Sequence, residues 1–102
     1  MTVRNISRDE VRDGLSAGTI VLVDVRESHE FAGGSIPGSV SMPLSGFEPN
    51  NLPPDGRAVV FSCAAGVRSL RAIELAQAAG LSLDAHYPGG FKDWAQAGEA
   101  VA

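Results

Sequence analysis

The chain has 102 residues, 44% hydrophobic and 20% charged, with a formal net charge of −4 and one cysteine. A chain of this length folds around one core that buries roughly 65% of its extended surface, so a single domain over residues 1–102 is expected. The composition gives no electrostatic support for binding nucleic acid or anionic membrane, no apolar stretch approaches the ~20 residues of a membrane helix, and one cysteine makes neither an internal disulfide nor, alone, a zinc centre. No secretory apolar segment opens the sequence, and with the lone thiol this predicts a reducing, cytoplasmic setting without metal or cofactor.

In chain order, residues 2–5 suit a short edge strand. Ser7, Arg8, Asp9 and Glu10 form a capping box, Val11 and Leu15 share a helix face, and Gly18 is placed to stop that helix. Residues 20–25 are almost wholly apolar and β-branched, the pattern of a strand covered on both faces. A short helix is predicted over residues 28–32 with Ser28 as cap, broken by Gly33 and Gly34. Pro37 and Gly38 mark a turn before a third strand over 39–42. Residues 45–56, with Pro49, Pro53 and Pro54, read as a loop holding at most one helical turn.

Residues 58–62 form the next strand, and 67–79 form an amphipathic helix through Leu70, Ile73, Ala76 and Ala79, ended by Gly80. A last strand over 84–87, a turn at Gly89 and Gly90, and a helix over 91–97 ended by Gly98 complete the chain. Strands alternating with helices predict an α/β architecture: a mostly parallel five-stranded sheet with helices on both faces. Ligands bind such sheets beyond the carboxyl ends of the strands, where Asp24, Cys63 and Gly89 all fall.

The chemistry concentrates at Cys63. A buried strand ends there, Ala64, Ala65 and Gly66 place no bulk over the sulfur, and a helix starts at once with Arg68 in its first turn. By composition alone a free cysteine is usually inert core. Here the loop amides and the helix N-terminus form an anion cradle, which favours a thiolate and raises its nucleophilicity at neutral pH. The cradle is assigned to Ala64, Ala65, Gly66, Val67, Arg68 and Ser69, with Gly66 supplying a backbone angle or close approach that a side chain would forbid.

The run Cys63-Ala64-Ala65-Gly66-Val67-Arg68-Ser69 resembles the active-site loop of the rhodanese (sulfurtransferase) family. Val23-Asp24-Val25-Arg26-Glu27, Glu30-Phe31 and Gly34-Ser35-Ile36-Pro37-Gly38 resemble its first signature, and Gly89-Gly90, Trp94 and Gly98 its last. The resemblance implies a rhodanese-like fold and a thiosulfate sulfurtransferase-like activity, in which Cys63 takes a sulfane sulfur from thiosulfate or a persulfide. The sulfur then passes to a thiol, cyanide or a sulfur-accepting protein. It also implies that Arg26 and Glu27 are scaffold. Ser35 and Ala100 depart from the family pattern, as do the apolar Ala64 and Ala65, which stand where thiosulfate-specialised members often carry basic or polar side chains.

Arg68 has two readings, a contact for an anionic donor or a brace paired with a buried carboxylate such as Asp24. Asp24 either holds Arg68, accepts loop hydrogen bonds or simply caps its strand. Ser69 either caps the helix or adds a hydroxyl to the cradle, and Gly89 with Gly90 can wall the pocket. His29 and His86 sit in no metal-like cluster, and a lone histidine is more often surface or satisfied core than catalytic. Two rival functions remain. One is a phosphatase or arsenate reductase, whose cysteine-to-arginine loop is one residue longer than the four-residue interval here; the other is a sulfur-carrier or docking module with little turnover of its own.

Overall fold

The computed structural model describes residues 1–53 and 56–102; Pro54, part of the predicted proline-rich loop, lies outside them with Asp55. Among the described residues, five strands make one parallel sheet: β1 (Arg4–Asn5), β2 (Ile20–Asp24), β3 (Val40–Ser41), β4 (Ala58–Ser62) and β5 (Ala85–His86), in the spatial order β1-β5-β4-β2-β3. β2 and β4 pair along their whole length, from Ile20 beside Ala58 to Asp24 beside Ser62. After β2 the chain moves outward to β3 on one side, and after β4 it moves to β5 on the other. The carboxyl ends of these two strands therefore flank a topological switch point, where an α/β sheet opens a crevice.

Four helices cover the sheet: α1 (Arg8–Ala17), α2 (Ser28–Ala32), α3 (Val67–Ala78) and α4 (Gly90–Gln96). Side-chain alternation along the strands divides the core in two. Val21, Val23, Val25, Phe61 and Cys63 face α3 and pack with Ala72, Ile73 and Ala76. Leu22, Val60, Ala85 and Tyr87 face the other way, onto Val11 of α1 and Trp94 of α4. Helices thus lie on both faces of a parallel sheet, as the alternating pattern required. No helix among the described residues is long and apolar enough to cross a membrane.

Local chemistry explains most boundaries. Ser7 Oγ accepts from the Glu10 N–H at 3.1 Å while Glu10 Oε1 accepts from the Ser7 N–H, and Gly18 ends α1 in the left-handed region at φ 71°. Ser28 is the first helical residue of α2 rather than its cap; Glu27 holds the cap position, and its N–H donates to Glu30 Oε1 at 3.0 Å. The proline-rich segment forms two short 3₁₀ turns, Leu44–Gly46 and Pro49–Asn51, where one turn at most was expected. Pro53, just after the second turn, prevents its continuation, since proline cannot donate to an earlier carbonyl.

Candidate active site

Cys63 follows β4 at the switch point, 1% exposed. Two contacts fix the start of its loop against α4: the Phe91 N–H donates to the Cys63 carbonyl at 2.8 Å, and the Lys92 N–H donates to the Ala64 carbonyl at 3.1 Å. Gly90 makes this closeness possible. A Cβ on it would stand 2.4 Å from the Cys63 oxygen and 2.6 Å from the Ala64 oxygen, and its φ is +63°. Gly89 lies one residue back; a Cβ there would meet the Asp93 side chain at 2.6 Å. Of the pair, then, Gly90 walls the loop directly.

Gly66 bends the loop back over the sulfur. It sits at φ 91° as the cap of α3, a Cβ on it would come within 2.7 Å of the Pro88 oxygen, and its N–H lies 3.0 Å from Cys63 Sγ. The amides of Ala65 and Ser69 also point to the sulfur, and Ser69 Oγ lies 3.6 Å from it. Burial pushes the thiol's pKa up, but the Ser69 hydroxyl and the amides of Ser69, Ala65 and Gly66 pull it down further. The net result is a thiol below its ordinary range. Ser69 is fully buried and gives its hydroxyl to the cradle, whereas Ala65 and Val67 are exposed and leave the rim apolar.

Arg68 and Asp24 do not pair. Arg68 makes a two-pronged contact with Glu30 of α2, at 2.6 Å to Oε1 and 3.0 Å to Oε2. That hydrogen bond, helped by the Glu27 N–H, lowers the Glu30 carboxyl from its ordinary 4.5 to about 2. Asp24 instead holds Arg26: its Oδ1 accepts from the Arg26 backbone N–H at 2.9 Å, and its Oδ2 from Nη2 at 2.8 Å. The physical reason is reach. Asp24 and Arg26 point the same way at the end of β2, so the guanidinium two residues away occupies the carboxylate first. Arg26, itself 4% exposed, also donates to the Gly34 carbonyl at 2.8 Å and stacks 4.4 Å over the Phe91 ring.

Sequence reasoning left two contributors out of the site. Glu30 is 38 positions from Arg68 and His86 is 17 from Ser69, with Ser69 Oγ and His86 Nδ1 2.7 Å apart. Only the sheet order brings these pairs together, and spacing along the chain carries no trace of it. Gly90 did leave a trace, since the glycine pair was visible, but which of the two meets the loop depends on the fold.

A family model described as a rhodanese-like domain matches residues 7–97. The mouse thiosulfate sulfurtransferase/rhodanese-like domain-containing protein 3 is 33% identical over 108 residues, covering 91% of this chain and 69% of its own length. A human thiosulfate:glutathione sulfurtransferase is 31% identical over 104 residues, covering 87% of this chain and 90% of its own. The solved structure of a human single-domain sulfurtransferase superposes with a TM-score of 0.76 at 30% identity, covering 90% of this chain and 95% of that one. With the parallel sheet, the switch-point cysteine and its loop, these likenesses establish that the chain belongs to the rhodanese-like domain family.

Proposed function

We propose that the protein is a sulfurtransferase in which the Cys63 thiolate carries a sulfur atom as a persulfide. The observation that carries this reading is the convergence of the Ala65, Gly66 and Ser69 amides and the Ser69 hydroxyl on one buried sulfur. Such donors stabilise an anion before any substrate arrives, and the persulfide that replaces the thiolate is an anion as well.

The step balances simply. The thiolate attacks the outer sulfur of the donor, a new S–S bond forms, and the donor's own sulfur bond breaks with its electron pair, releasing sulfite from thiosulfate or a thiolate from a persulfide. In the second half, cyanide or a thiolate attacks the terminal sulfur of the persulfide, leaving as thiocyanate or a new persulfide and restoring the Cys63 thiolate. With no second cysteine in the chain, the acceptor comes from outside. The partners are thus a small sulfur donor and a thiol, cyanide or sulfur-accepting protein, and a reducing, cytoplasmic setting suits them.

Two features shape the choice of donor. Cys63 retains only 1% of its surface, so a slender terminal atom such as a sulfane sulfur reaches it more readily than a phosphoryl group. Arg68 is committed to Glu30 and braces the rim, so the anion-stabilising work falls on the amides. Production of thiocyanate from cyanide, with thiosulfate or glutathione persulfide as the sulfur donor, read above the uncatalysed rate, tests the proposal. Turnover by the wild type and none by Cys63→Ser supports it, whereas equal background rates from both proteins with every donor would assign the chain a docking role.

A further inference from the structure

Ala85 and Tyr87 of the β5 segment point toward α1 and α4, so His86 between them points toward α3. There it is 3% exposed, with Nδ1 2.7 Å from Ser69 Oγ and Nε2 3.2 Å from Asn5 Oδ1. An oxygen facing Nε2 assigns the hydrogen to that nitrogen and leaves a lone pair on Nδ1. The Ser69 hydroxyl then gives its single hydrogen to His86 and turns a lone pair toward Cys63, an arrangement that suits a thiol S–H and not a thiolate. A thiolate needs that hydrogen on the sulfur, and Ser69 can supply it only when Nδ1 carries a proton. One hydroxyl thus couples the two titrations.

We propose that His86 is a positioning residue that takes up the Cys63 thiol proton through Ser69, so that thiolate and imidazolium form together. Two protons move. The S–H bond breaks as a new O–H bond forms on Ser69, and the original Ser69 O–H bond breaks as an N–H bond forms on Nδ1. The sulfur gains one negative charge and the imidazole one positive charge, with no electron transferred between groups. Both imidazole N–H groups then have acceptors, Ser69 Oγ and Asn5 Oδ1, and the Ser69 hydrogen lies on the thiolate.

The surroundings favour this exchange over independent titration. Burial holds His86 below its ordinary value, so its cation needs a nearby anion. Facing it are the neutral Asn5 from β1 and Ser69 from α3, with Cys63 beyond Ser69 at the end of β4. Along its own strand edge Asp84 is engaged by Arg4, and on α3 Arg68 is engaged by Glu30.

The inference rests on Cys63 being the nucleophile, and its test uses no sulfur donor. The rate of Cys63 alkylation by iodoacetamide is followed from pH 5 to pH 10 in the wild type and in His86→Asn, whose amide occupies the Nδ1 position but does not titrate. At pH 7 the variant is expected to react about tenfold more slowly, the scale of one charge-assisted hydrogen bond, and to converge with the wild type near pH 10. Ser69→Ala should show a similar loss, with little added in the double variant. Superimposable pH profiles for the wild type and His86→Asn overturn the relay while leaving sulfur transfer intact; a wild-type profile whose midpoint is no lower than that of a free cysteine overturns the thiolate reading itself. Should His86→Asn fail to fold, NMR titration of His86 decides. A midpoint higher in the wild type than in Cys63→Ser supports the coupling, and equal midpoints overturn it.

Discussion

Gly66 has two constraints at once, a left-handed backbone and a Pro88 carbonyl where a Cβ would lie. Relief of either moves the amide that touches the sulfur. Gly66→Ala is therefore expected to cost about 1–3 kcal/mol in stability and to raise the thiol's pKa, read by denaturant unfolding and by the pH at which Cys63 alkylates. A variant with wild-type stability and reactivity would contradict the cradle geometry. Beside it, Ser62 Oγ is buried without a hydrogen-bond partner among the described residues. Ser62→Ala removes an unsatisfied hydroxyl and should leave stability unchanged or raise it by about 1 kcal/mol; a loss above that would reveal a partner for the hydroxyl.

At the scale of elements, α2 and α3 are joined by Glu30 and Arg68. The folded Glu30 carboxyl lies near 2 against an ordinary 4.5, a depressed acid, so the stability it contributes is complete above about pH 5 and is lost as pH falls toward 2. Both side chains keep about a third of their surface in water, 32% for Arg68 and 29% for Glu30, which limits the contribution to about 1 kcal/mol. Glu30→Gln should thus be the less stable protein at pH 7, with the gap closing by pH 2. A constant gap across that range would mean that the carboxylate charge is irrelevant.

This pair also shows what a sequence carries and what it does not. The capping box at Ser7 and Glu10 and the strand Ala58–Ser62 were legible because their causes are local: a hydroxyl three residues from a carboxylate, and a short apolar run. The cysteine loop was legible for the same reason, since small residues, a glycine and a helix start are consecutive. Arg68 was assigned to Asp24 as one option, but Arg26 lies two residues from Asp24 and claims it first. Glu30 and His86 act on the site from other strands and helices, through contacts that exist only once β4 has been placed between β2 and β5.

Over the whole molecule, the Asp24–Arg26 pair ties the end of β2 to the Gly34 carbonyl and to Phe91 of α4, which in turn donates to the Cys63 carbonyl. One buried ion pair thereby links the first signature of the chain to the last, behind Cys63. Removing one partner strands the other charge in the core. Arg26→Met is expected to cost about 3–5 kcal/mol in urea unfolding, and replacing both partners by apolar residues should recover part of that. A cost below about 1 kcal/mol for the single variant would show that the pair is not what holds these segments together.

The central claim is that Cys63 stores a sulfur atom, and the intact mass of the protein after exposure to a sulfur donor tests it most directly. With thiosulfate or glutathione persulfide, the wild type should gain the mass of one sulfur, lose it on addition of cyanide, and show no gain as Cys63→Ser. Reversal by cyanide separates this product from two added oxygens, which weigh nearly the same. A gain that cyanide leaves in place, or one that persists in Cys63→Ser, would contradict a persulfide on Cys63.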